Sequence, residues 1–185
     1  MKPPVRVLEL RSTYGGGGGP DKTILLSAAR HDPRRIQVRC LYLRGAHDMA
    51  WTVGARAQAL QVDYLELLEH QRLDPAVIQT LWKELWTFRP DILHAHDYKT
   101  DLLALLLSPA VPGVRLLSTA HGWTLDNAAM STYTRLDQEA LRVFDRVVAV
   151  SLETRARLVT AGVDPDRLEL LYNGIDLESW PAADR

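Results

Sequence analysis

The run Val5-Arg6-Val7-Leu8-Glu9-Leu10 and the stretch Tyr14-Gly15-Gly16-Gly17-Gly18-Gly19-Pro20-Asp21-Lys22-Thr23 that follows it decide how the rest of the chain is read. The first is a strand; beyond the glycines, Ile24, Leu25, Ala28 and Ala29 recur at helical spacing. Five of the chain's 11 glycines stand in this one loop, so its freedom is a local specification. A strand that passes through glycines into a helix lets backbone N–H groups approach an anion, and the helix N-terminus adds partial positive charge. The reading is a phosphate site at Gly15, Gly16, Gly17, Gly18 and Gly19, with Lys22 in the first turn, where only a bound anion favours it. The competing reading is a surface turn, but a plain strand-to-helix connection needs only ~2–6 residues and no glycine run.

Two other phosphate loops are excluded by spacing. A Walker A loop places glycine directly before its lysine, and here Asp21 precedes Lys22. The pattern G-x-G-x-x-G started at Gly15 puts Pro20 where the third glycine belongs.

Working outward, apolar runs and breakers alternate along the chain. Strands are expected at Ile36 to Leu43, Val62 to Leu68, Asp91 to Asp97, Val114 to Thr119, Arg146 to Val150 and Leu168 to Tyr172. Between them lie helical patterns: Asp21 to Arg30 capped by Asp21, a weak one within Gly45 to Leu60, one opened by Asp74-Pro75, then Tyr98 to Leu107. Two more are expected around Leu136 to Phe144 and over Leu152 to Ala161, the latter capped by Ser151. The third helix carries an apolar stripe of Val77, Ile78, Leu81, Trp82, Leu85 and Trp86, which reads Trp82 and Trp86 as core. Strands alternating with helices predict a doubly wound, mainly parallel Rossmann-like α/β sheet, with Val5 to Leu10 central, the second and third strands on one side and the fourth on the other. Ligands of such sheets gather at the carboxyl ends of the strands. That rim collects the glycine loop, His96-Asp97, His121-Gly122-Trp123, Ser151 and Asn173-Gly174.

With 185 residues and 46% hydrophobic content the chain can bury one sizeable core. A net charge of −1 gives no electrostatic footprint for nucleic acid. Cys40, the one cysteine, sits in an apolar run and reads as a buried thiol in a cytoplasmic protein. The longest apolar run, Leu102 to Leu107, is far short of the ~18 residues of a membrane span, while peripheral contact with a membrane surface stays open.

The rim stretches, taken together, resemble the N-terminal half of a family 4 glycosyltransferase of the GT-B type. They are Tyr14 to Leu26, Arg89-Pro90-Asp91-Ile92-Leu93-His94-Ala95-His96, Ser118-Thr119-Ala120-His121-Gly122-Trp123, Phe144 to Ser151, Ala161 to Leu168, and Tyr172-Asn173-Gly174-Ile175-Asp176. Two features depart from that family: the loop is longer in glycine than usual, and no two glutamates stand eight positions apart as the donor-binding pair does. The resemblance implies residues 1–176 as the acceptor-side domain and 177–185 as the start of a linker to a second, donor-binding domain. It further implies sugar transfer with retention from a nucleotide-sugar, which is a substrate and not a cofactor, to a glycan or lipid-linked acceptor. It gives His121 the catalytic position, Gly15 to Gly19 and Lys22 the donor phosphates, and His96, Asp97, Tyr98, Lys99, Gly122 and Trp123 the acceptor. This chain alone is expected to be inactive, and the expected setting is the cytoplasm or the inner face of its membrane.

Bland readings stand beside these. His94 and His96 point to one side of their strand and, with His121, could be drawn as zinc ligands. The expectation is nevertheless no metal, because His94 lies deeper among Ile92, Leu93 and Ala95, where a hydrogen-bonded core histidine is the commoner outcome. Ser151 lacks the G-x-S-x-G context of a nucleophile. Two other function classes compete: a non-catalytic glycan- or phosphate-binding module, and a nucleotide-binding oxidoreductase domain, which is disfavoured by Arg44 where an acidic residue should end the second strand.

Overall fold

The computed structural model describes residues 2–71, 74–122 and 128–176, with the backbone alone for 128–132. Trp123 and the expected linker at 177–185 lie outside the described residues. Among the described residues seven strands run in chain order: β1 (Val5–Ser12), β2 (Ile36–Gly45), β3 (Tyr64–Glu69), β4 (Ile92–Ala95), β5 (Arg115–Ala120), β6 (Arg146–Ala149) and β7 (Leu168–Leu170). All pair in parallel, in the spatial order β3-β2-β1-β4-β5-β6-β7. Among the described residues six α-helices connect them: α1 (Gly19–Arg30), α2 (Val53–Ala59), α3 (Pro75–Phe88), α4 (Tyr98–Leu107), α5 (Ala128–Leu141) and α6 (Leu152–Thr160). The first strand is central with its second and third neighbours on one side, as the pattern predicts.

Alternation along β2 explains the two layers. Cys40 and Tyr42 face α1 and α2, joining Ile24, Leu25, Val53 and Ala57 in one buried cluster. Leu41 and Leu43 face the other way, into a larger core with Leu8, Leu10, Leu81, Leu85, Leu93, Ala104, Phe144 and Leu158. Each fully buried leucine contributes about 1.5–3 kcal/mol of transfer free energy.

Three local expectations need correction. Trp82 and Trp86 are 46% and 50% exposed, because the buried stripe of α3 is Val77, Leu81, Leu85 and Phe88, and the two indoles lie one step off it. Asp21 is not the cap of α1: Gly18 holds that position, and Asp21, three residues on, accepts the Gly18 N–H through Oδ2 at 2.6 Å. The second helix is only Val53–Ala59, because Asp48 turns back to accept the Gly15 N–H at 2.6 Å, which commits the chain before it to a loop. Ser151 does cap α6, accepting from the Thr154 N–H at 3.0 Å.

Candidate functional site

Chain order reverses between β1 and β4, so their carboxyl ends diverge into a crevice. The two ends are tied together from below. Ser12 N–H donates to Asp97 Oδ2 at 2.8 Å, and Arg11 Nη1 donates to the His96 carbonyl at 3.0 Å. Arg11 also pairs with the fully buried Asp21 at 3.1 Å. Asp97 caps α4 by accepting from the Lys99 and Thr100 N–H groups, and burial raises its carboxyl pKa against the pull of Arg11.

Below the crevice lies a cluster built from three neighbouring strands. Register puts Glu9 of β1 beside His94 of β4, and His96, two residues on, shares that face. Glu9 Oε2 lies 2.8 Å from His94 Nδ1 and 2.6 Å from His96 Nε2. On β5 and just beyond it, Thr119 Oγ1 is 2.8 Å from His94 Nε2, and His121 Nε2 is 3.3 Å from His96 Nδ1. Burial opposes ionisation of Glu9, but the two imidazoles hold its carboxyl well below the ordinary range. Burial pushes His96 down to about 4, aided by His94 and opposed by Glu9. Burial likewise pushes His121 down to about 3, with His96 and Arg11 adding to it, so both rings are neutral at pH 7.

Two hollows flank this cluster. A cleft of about 480 Å³ is walled by α1 and residues 171–176, with Glu9, His94, His96 and His121 in its lining. Asn173 and Gly174 line the same cleft, and Arg30 at the end of α1 reaches Asp176 at 2.7 Å across it. A second hollow of about 350 Å³ gathers His96, Asp97, Tyr98, His121 and Gly122 with Asp101 and Asp137. Gly122 has φ of +105°, a conformation that costs little for glycine alone and turns the chain out of β5.

The structure therefore brings together most of the predicted acceptor residues and His121, but not Lys99, whose ammonium pairs with Glu69. The glycine loop stands apart from both linings apart from Tyr14, which borders the second hollow. Its N–H groups are partly used: Gly15 donates to Asp48, Gly17 to the Tyr14 carbonyl at 3.0 Å, and Gly18 to Asp21. Those of Gly16 and Gly19 donate to nothing among the described residues, and Lys22 is exposed without a carboxylate partner there. Gly17 is the constrained member, since its φ is +67° and an added Cβ would meet the Asp21 side chain at 2.7 Å.

His96 is more buried than His94, the reverse of the depth order expected. Glu9 escaped the sequence reading altogether. Its signal was a lone carboxylate at the middle of an expected central strand, a position that demands a buried partner. Among the described residues, Glu9, His94 and His96 form the one group of three side chains with metal-ligand atoms in mutual reach, all within 4.8 Å of one another.

A doubly wound parallel sheet with its crevice at the glycine loop is one half of a GT-B-like architecture. The profile of Glycosyltransferase Family 4 matches residues 17–179, and the chain belongs to that family. Comparison with curated proteins gives no match. Among solved structures, Anabaena HepE in complex with UDP superposes with a TM-score of 0.73 at 16% identity, covering 94% of this chain and 45% of HepE. The lipopolysaccharide outer core galactosyltransferase WaaB gives a TM-score of 0.70 at 15% identity, over 98% of this chain and 50% of WaaB. The UDP-GlcNAc 2-epimerase of Neisseria meningitidis gives 0.61 at 14% identity, over 90% of this chain and 45% of the epimerase. At these identities the likeness is one of fold, and the chain spans about half the length of each of these proteins. Among the described residues no helix is long and apolar enough to cross a membrane.

Proposed function

We propose that this chain is the acceptor-side domain of a retaining glycosyltransferase that moves a sugar from a nucleotide-sugar to a glycan or lipid-linked acceptor, its second domain supplying most of the donor site. The observation that supports the reading best is the convergence of His121, Gly122, His96, Asp97 and Tyr98 on one hollow beside the crevice, with the unused N–H groups of Gly16 and Gly19 on the adjoining loop. Family membership supports the reaction class. Uridine diphosphate sugars are the donor class favoured, since fold relatives were solved with UDP, UDP-glucose and UDP-GlcNAc. In this reading the diphosphate that departs is held by loop N–H groups and Lys22, preorganised dipoles aimed at developing charge. His121 touches the transferring sugar or the acceptor.

Lys22→Ala tests the phosphate assignment. Lys22 is exposed in the first turn of α1, where its charge opposes the helix dipole, so its loss should leave thermal stability unchanged or slightly raised. In the protein joined to a compatible second domain, the same change should raise KM for the nucleotide-sugar about tenfold. An unaltered KM would remove Lys22 from the donor site. Sugar transfer by the 185-residue chain alone would refute the division between domains.

A further inference from the structure

We propose that Glu9 and His96 are positioning residues for His121: a chain of hydrogen bonds from Glu9 through His96 fixes the proton of His121 on Nε2 and leaves Nδ1 as a lone pair that accepts from a hydroxyl of the sugar or acceptor. This role rests on the reading of His121 as the residue that touches the reacting groups.

The chain is anchored at a group that can act in one way only. Glu9 is ionised, and a carboxylate accepts hydrogen bonds without donating any. Its Oε2 lies 2.6 Å from His96 Nε2 and 2.8 Å from His94 Nδ1, so each of those nitrogens carries a hydrogen. In a neutral imidazole the two nitrogens have opposite roles, and the bond made by one sets the other. His96 Nδ1 is then a lone pair, and His121 Nε2, 3.3 Å away, must donate to it. By the same rule His121 Nδ1 is left without a hydrogen.

The surroundings favour this neutral arrangement. A doubly protonated His96 would be a buried cation, with the His94 ring 4.1 Å away between centroids and the Arg11 guanidinium on its own carbonyl. One shared carboxylate is too little compensation for that, and burial holds both His96 and His121 well below the ordinary imidazole range. Ring orientation agrees. The His96 and His121 planes are only 26° from parallel with centroids 5.5 Å apart, so the in-plane lone pair of one nitrogen can meet the in-plane N–H of the other. The anchor is rigid, because Glu9 of β1 is the registered neighbour of His94 on β4 in the middle of the sheet.

The consequence is chemical selectivity at the end of the chain. Both nitrogens of His94 and of His96 have partners in Glu9, Thr119 and His121. His121 Nδ1 is buried with no partner among the described residues, and its ring lines both hollows. A buried nitrogen without a hydrogen bond is costly, and a ligand O–H satisfies it. A phosphate or carboxylate oxygen, which brings only lone pairs, is repelled there.

The tautomers are read from the ring nitrogens by proton–nitrogen correlation spectroscopy on the isotopically labelled chain. In the wild type at neutral pH, His96 and His121 should each show a protonated Nε2 and a bare Nδ1. Glu9→Met removes the acceptor at similar side-chain length and should leave His121 exchanging between its two tautomers. Joined to a compatible second domain, the same variant should lose about tenfold in kcat, the size of one ordinary hydrogen bond in the transition state, with KM for the nucleotide-sugar held within about twofold. A glutamate that only stabilises the fold would lower Tm without moving the His121 signals or separating kcat from KM. A cationic His121, or one protonated on Nδ1, in the folded wild type overturns the proposal, so a variant that fails to fold does not shield it. A folded Glu9→Met protein in which His121 keeps its tautomer overturns it too. The expected ring signals with no sugar transfer by the joined wild type would refute the glycosyltransferase reading instead and leave the hydrogen-bonded chain standing.

Discussion

Arg11 Nε and Asp21 Oδ1 lie 3.1 Å apart beneath the glycine loop, with the aspartate fully buried. The same carboxylate accepts the Gly18 N–H at 2.6 Å, so one side chain both neutralises Arg11 and shapes the entry to α1. Breaking a buried pair from one side leaves an uncompensated charge and costs about 3–5 kcal/mol. Asp21→Ala should therefore lower unfolding free energy by about that amount, measured by urea denaturation. Asp21→Asn keeps an acceptor for Gly18 and should lose less. Equal losses for the two variants would show that the charge, and not the hydrogen bond, is the whole effect.

Cys40 sits at the middle of β2 with no exposure. Burial pushes its thiol far above the ordinary range, and the negative charges of Glu9 and Asp63 add to the shift. Since the thiolate is the nucleophile, the native protein should stay unreactive toward a thiol reagent up to at least pH 9, releasing one equivalent only when denaturant is added. Rapid labelling of native protein at neutral pH would contradict the burial.

Much of the fold was legible because periodicity reports burial directly. The alternation through Cys40, Leu41, Tyr42 and Leu43 assigns a strand covered on both faces, and breakers such as Asp74-Pro75 mark where helices start. What was not legible depends on rotation and register. The half-exposed Trp82 and Trp86 could be told from the buried Leu81 and Leu85 only by knowing which way α3 lies on the sheet. Glu9 becomes chemically meaningful only when β1 pairs with β4, a contact between residues 85 positions apart in the chain, as with the Ser12–Asp97 hydrogen bond. Asp48 is a similar case: no local pattern announces that it accepts the Gly15 N–H from 33 residues away.

The same limit hid Asp101 and Asp137, which meet between α4 and α5 with both side chains buried. Burial, then the neighbouring Asp137 carboxylate, raises the Asp101 pKa well above its ordinary 3.8. The folded chain thus keeps a proton that the unfolded chain releases, so this group's contribution is favourable below about pH 4 and is lost as pH rises toward the native pKa. Asp101→Asn cannot ionise and should flatten the decline. It should stabilise the protein at pH 8 relative to the wild type, with little change near pH 4. Tm measured from pH 4 to pH 8 for wild type and variant decides it. A constant difference across that range would mean that the pair does not titrate as argued.

His121 offers the sharpest separation of function from stability. Its ring is partly buried, its hydrogen bond to His96 is long at 3.3 Å, and its Nδ1 is buried without a partner among the described residues. Removing it should therefore cost no more than about 1 kcal/mol of folding free energy, since a weak bond is lost and an unsatisfied nitrogen disappears with it. If the ring touches the transferring sugar or acceptor, its contact acts mainly in the transition state, and His121→Ala in the protein joined to a compatible second domain should lower kcat roughly 100-fold. KM for the nucleotide-sugar should move little, because a contact made only in the transition state leaves ground-state binding alone. Donor consumption and Tm measured side by side give the answer. A fall in Tm with kcat intact would make His121 a structural residue of the cluster, and a rise in KM at constant kcat would place it in ground-state binding.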